Sequence, residues 1–122
     1  MRQVITDTNV VLRFLIEDDK TFPKLLKEGE VWLTTSVFTE IFFVLRSYYR
    51  MSKELIFDRL MKIVLNPRVM AEKELLTKML VTFNNYPKLS MVDCYLVVMA
   101  ENKNLRVVTF DEDLMKVLEK LK

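Results

Sequence analysis

The sequence predicts an α/β domain: a three-layer sandwich in which a short central parallel sheet of about four strands is flanked by helices. Two observations carry this. Short apolar segments of four to six residues, at 2–6, 30–35, 68–71 and 106–109, alternate with longer segments of helical spacing. The short segments are also apolar on both sides, as strands covered on both faces must be. No repeat, low-complexity stretch or linker interrupts the pattern, so residues 1–122 are expected to form a single domain.

The elements come in order. A strand at 2–6 leads into a helix over 8–17, and a second helix fits 22–28, ended by Gly29 as a C-terminal cap. "EVWLTT" (30–35) is a strand, and Ser36 is placed to N-cap a long helix running to about residue 50. Ser52 caps the next helix, in which Leu55, Ile56, Leu60, Ile63 and Val64 keep helical spacing until Asn66-Pro67 stops it. "RVMA" (68–71) is a short strand, followed by a helix over 72–84 and a turn at Tyr86-Pro87. A helix over 90–101, a strand "RVVT" at 106–109 and an amphipathic helix over 111–121 complete the chain.

Composition removes whole classes of chemistry. There is no histidine, which excludes Ser-His-Asp triads, Cys-His pairs and imidazole metal ligands. The single glycine excludes a P-loop and a G-x-G-x-x-G dinucleotide turn. What remains is carboxylates, lysines, hydroxyls and a hard metal ion. A net charge of +2 neither announces nor excludes a nucleic-acid partner. No apolar run reaches the roughly 18 residues of a membrane span. Without a signal-peptide pattern, and with one cysteine, Cys94, unable to form an internal disulfide, a cytoplasmic location is expected.

Four acids sit oddly in this scheme. Ligands of open parallel sheets bind beyond the carboxyl ends of the strands. Asp7 and Asp111 follow the first and last expected strands, and Glu40 lies early in the helix that leaves the second. Glu40 is flanked by Val37, Ile41, Phe43 and Val44; Asp93 has Val97 and Ala100 at helical spacing and no basic residue within a turn. An unpaired buried carboxylate is costly. Each acid also has a structural explanation: Asp7 and Asp111 as helix caps, Ser90-x-x-Asp93 as a capping box, Glu40 as a solvated side chain. Together, four carboxylates at one sheet edge favour a shared site. Mutual repulsion makes a divalent cation with oxygen ligands, Mg²⁺ or Mn²⁺, the natural occupant.

The chain resembles the PIN-domain nucleases, and in particular the VapC-type toxins of toxin–antitoxin pairs. "DTNVVLRFLIEDD" is similar to the family's opening motif, "TEIFFVLRSYYRMS" to its second, and "MVDCYLVVMAENKNLRVVTFDEDL" to its third and fourth. Asp7, Glu40, Asp93 and Asp111 match the four acidic positions in order. The resemblance implies a PIN-like sandwich and metal-dependent cleavage of RNA, with those four acids holding one or two Mg²⁺ or Mn²⁺ ions and a metal-bound water attacking the phosphate. It also implies a homodimer silenced by a cognate antitoxin. Where the family often has a glycine before its last strand, this chain has "ENKN", and Asn102 or Asn104 is expected to take the positive φ there.

Around the acids, Asn9 and Thr109 are placed to orient Asp7 and Asp111 or a bound water. Asp113 is either a fifth carboxylate or a solvated first-turn acid, and Arg13 either meets a phosphate or forms a salt bridge. Phe38, Phe42, Phe43, Tyr48 and Tyr49 lie all round the helix expected at 36–50, more than one face buries, which points to a homodimer. Two other readings compete with the nuclease. A PIN-like module that binds without catalysis is opposed by the intact acid set. A receiver-like signalling domain requires two adjacent acids after the first strand and a lysine after the last, and this chain has neither.

Overall fold

Three of the four expected strands pair. The computed structural model describes residues 2–122. In it, β1 (Arg2–Ile5), β2 (Gly29–Trp32) and β3 (Val69–Met70) form a parallel sheet in the order β1-β2-β3. Val4 registers with Val31, and Val31 with Val69. The helices around it are α1 (Thr8–Glu17), α2 (Thr21–Glu28), α3 (Thr35–Phe43), α4 (Lys53–Leu65), α5 (Lys73–Asn85), α6 (Met91–Lys103) and α7 (Glu112–Lys120). The architecture is the α/β arrangement that the alternating pattern implies.

Helix starts are chemically marked. The side chains of Asp7, Thr34, Ser52, Ser90 and Asp111 each accept a hydrogen bond from a backbone N–H in the first turn of α1, α3, α4, α6 and α7. Helix ends use left-handed residues: Asp18 (φ 56°) closes α1 and Asn104 (φ 53°) closes α6. Asn104 thus supplies the turn for which glycine is the usual residue. Among the described residues, no helix is long and apolar enough to cross a membrane.

One apolar cluster joins the layers, with Val11, Phe22, Val31, Phe38, Ile41, Leu45, Ile56, Leu76, Phe83 and Val97 all buried. Fully burying side chains of this size contributes about 1.5–3 kcal/mol each. Phe42 meets Phe83 edge-on, with ring centroids 4.6 Å apart. Phe38 and Phe42 therefore belong to the core, while Phe43, Tyr48 and Tyr49 remain exposed. The aromatic excess on this helix is real but smaller than its sequence suggests.

Several elements depart from expectation. The segment 106–109 forms no strand. Its Val107-Val108-Thr109 run has the shape preference of a strand, but a strand exists only through a backbone partner, and none of its peptide groups hydrogen-bonds to β1. Val107 and Thr109 are half-buried and Val108 and Phe110 exposed, so the alternation survives without the ladder.

The second strand ends at Trp32 rather than 35, because Thr34, not Ser36, is the N-cap of the next helix. That helix is α-helical only to Phe43 and continues as a π-helical turn, Val44–Tyr48, with the Tyr49 N–H donating to the Val44 carbonyl. Gly29 is not a left-handed cap either. Its φ of 174° is extended, and its role is steric: a Cβ there would stand 2.0 Å from the Arg2 carbonyl oxygen. Glycine lets β1 and β2 approach.

Candidate active site

The carboxyl ends of β1 and β2 deliver α1 and α3 side by side, and the first acids meet there. Asp7 follows β1, and its Oδ1 accepts the Val10 N–H at 3.3 Å as the cap of α1. The next residue, Thr8, is buried, and its hydroxyl donates to Glu40 Oε2 at 3.0 Å. Thr8 thus links the Asp7 cap to the second turn of α3. Thr6, on the other side of Asp7, is also buried, and its Oγ1 has no hydrogen-bond partner among the described residues. Glu40 itself is exposed. Its charge is tolerated beside Phe43 and Val44 because the face that carries it opens into a groove rather than the core.

Asp93 arrives from a third direction. It lies half-buried in the first turn of α6, which packs against α3. Its N–H donates to Ser90 Oγ at 3.1 Å, the backbone half of the expected capping box; among the described residues its carboxylate makes no return bond. Cys94, next in the helix, is fully buried. Burial, and then the negative charge of Asp93, push its thiol up to about 12.

Asp111 is positioned by its own turn. Its N–H donates to Thr109 Oγ1 at 3.0 Å, and its Oδ1 caps α7 through Leu114 N–H at 2.9 Å. Thr109 thus holds the backbone of Asp111, and the carboxylate is held by the Leu114 N–H. Asn9 is exposed and lines the groove that holds Glu40, and Asp113 is an exposed first-turn acid of α7. Arg13 is engaged locally, with Glu17 at 3.3 Å and Asp19 at 3.9 Å.

Asp7 and Glu40 are thus joined through Thr8, and the helix carrying Asp93 packs on the one carrying Glu40. No hydrogen bond ties Asp111 to the other three among the described residues. Nor do three or more acids converge there closely enough to cage an ion. In kind, the donors fit a hard divalent cation: carboxylates and hydroxyls alone, with each capping Asp using one oxygen and leaving the other unbonded. Two hydroxyls escaped sequence reasoning, Thr8 and Thr6. The available signal was position: each flanks an acid at a strand end, where a buried β-branched hydroxyl has few partners besides that acid's surroundings.

Comparison with curated proteins and with solved structures finds no match. The sequence profile of the PIN domain matches residues 4–120, which takes in all four acids. The chain belongs to the PIN domain family, a nuclease fold whose members are generally hydrolases that use divalent metal ions.

Proposed function

We propose that this protein is a metal-dependent ribonuclease that hydrolyses RNA phosphodiester bonds, with Asp7, Glu40, Asp93 and Asp111 as its metal-holding and catalytic acids. The observation that carries the reading is the meeting of the Asp7 and Glu40 segments through the Thr8 hydroxyl. Capping α1 requires only Asp7, and α3 needs no partner for Glu40; the bond from Thr8, the neighbour of Asp7, to Glu40 builds a polar edge that the core does not use. A chain without histidine has no imidazole base, which favours carboxylates and a metal ion for the proton and charge chemistry.

Mg²⁺ or Mn²⁺, when bound, supplies an acidified water and neutralises the charge of the phosphate. The protein's part is to fix the donors. The Thr8 hydroxyl donates to Glu40, Thr109 Oγ1 accepts the Asp111 N–H, and Asn9 stands in the same groove as Glu40. We further propose a cytoplasmic toxin acting as a homodimer and silenced by a cognate antitoxin. Exposed apolar side chains at Ile5, Val92, Leu96, Val108 and Phe110 provide surface for such partners.

The test is cleavage of single-stranded RNA. Activity should vanish in EDTA, return with Mg²⁺ or Mn²⁺, and be absent in Asp93→Asn. In thermal melts the wild type should gain roughly 2.7 kcal/mol from metal at about a hundred times its dissociation constant, and Asp93→Asn little of it. Cleavage persisting in chelator, or a full metal shift in the variant, refutes the assignment.

A further inference from the structure

Phe43, Tyr48 and Tyr49 stand 66%, 76% and 45% exposed along one helix whose inward face is already filled by Phe38, Phe42 and Leu45. The π-helical turn explains the placement of the two tyrosines. Closing through Val44 and Tyr49, it inserts an extra residue into the turn and rotates the residues beyond it away from the α-helical register. The rings then line a groove of about 610 Å³ that also contains Asn9, Glu40 and Ser47. Tyr48 and Tyr49 brace each other edge to face, with centroids 4.9 Å apart and planes at 80°. One ring's edge supports the other, and both side chains stay exposed.

We propose that this groove seats an unpaired base of the RNA substrate, stacked on the Tyr48–Tyr49 pair, with the adjoining phosphate led toward Glu40. This rests on the nuclease reading and adds to it the place where the substrate is held. Three features favour a nucleobase over a protein helix. The groove is mixed rather than apolar, and Asn9 and Ser47 bring amide and hydroxyl groups that hydrogen-bond base edges. It contains one of the four acids, so an occupant of the groove lies beside the proposed reaction centre. Stacking on aromatic faces tolerates any base but requires that base to be out of a duplex, which suits single-stranded RNA.

The test is equilibrium binding in EDTA, where no cleavage occurs, using a short unstructured RNA oligonucleotide labelled with fluorescein and read by anisotropy. Tyr48→Ala and Tyr49→Ala should each weaken binding on the order of tenfold, while Tyr48→Phe and Tyr49→Phe stay within about twofold of wild type. Both rings are exposed, so the variants should melt with the wild type. With Mn²⁺, the Ala variants should show raised KM. Ala variants that bind and cleave like wild type overturn the stacking site and leave the nuclease standing. Loss of binding that tracks a fall in mass by light scattering overturns it in favour of a contact between copies. A wild type that neither binds nor cleaves RNA takes both proposals down.

Discussion

Gly29→Ala tests the packing of β1 on β2 through a single methyl group. Gly29 is the register partner of Arg2, and its N–H also closes α2 on the Leu25 carbonyl. Because its φ of 174° is open to any residue, alanine carries no backbone strain there, and the whole effect is steric. The added Cβ would lie 2.0 Å from the Arg2 carbonyl oxygen and 2.8 Å from its carbon, so one strand must retreat by an ångström or more.

Gly29 is held by α2, so β1 moves. It has two ways to do so. Peeling Arg2 off the ladder sacrifices one hydrogen bond, about 1 kcal/mol. Shifting the whole strand disturbs the packing of Val4 and reaches the upper end of overpacking costs, about 3 kcal/mol. We expect about 2 kcal/mol, a fall in Tm of roughly 8 °C for a domain between the size classes for which the conversion is known. Chemical denaturation and circular-dichroism melts measure both. A loss below about 0.5 kcal/mol, the range of ordinary surface substitutions, would refute the close approach of the two strands.

Local chemistry yields two further outcomes. Cys94 keeps its proton in the folded state, so stability should fall as pH rises above the thiol's ordinary value of 9.0 toward about 12. Over that window the unfolded chain releases a proton and the folded one does not. The loss should be about 1.4 kcal/mol at pH 10 relative to pH 8 in urea titrations, and absent from Cys94→Ala. At Asp111, Ala removes the α7 cap and should cost about 1 kcal/mol, whereas Asn keeps the bond to Leu114 and should be neutral in EDTA while losing the metal-induced rise in melting temperature.

Local signals were read well from the sequence and long-range ones less so. The start of α1 after Asp7, the caps Ser52 and Ser90, the stop at Asn66 and the left-handed Asn104 all depend on residues within a turn of themselves. Their chemistry is visible in one dimension. The strand expected at 106–109 failed because β-branched residues state a preference and a neighbouring backbone decides it. Gly29 was assigned to a turn because glycine usually marks one, and its true constraint, the approach of Arg2, lies 27 residues away. Ser36 and Thr34 are chemically equivalent caps, and only the length of the strand before them chooses between them. Of the candidate acids, Glu40 and Asp93 stood out by their apolar neighbours, and Asp7 and Asp111 by the ends of expected strands, of which only the first forms. The bond from Thr8 to Glu40 had no such signal, since it spans two helices.

The caps themselves bear on why the acids are where they are. Five helices begin with a side-chain cap, and three of them, at Thr34, Ser52 and Ser90, use an uncharged hydroxyl. Capping therefore does not require a carboxylate in this protein, and asparagine or serine serves about as well as aspartate. A negative charge near a helix N-terminus adds some 0.3–1 kcal/mol, a benefit available at all five positions and taken at two. Those two, Asp7 and Asp111, follow the first and last extended segments, and each spends one oxygen on its cap. The helix uses the hydrogen bond, and the second oxygen and its charge are left for something else. Glu40 carries charge where capping has no claim, in the second turn of α3; Asp93 lies in the first turn of α6, where its charge gains from the helix N-terminus while Ser90 supplies the cap. At Asp7, Glu40 and Asp111 the charge exceeds what capping asks for, which supports the proposal that these acids hold a cation against a phosphate.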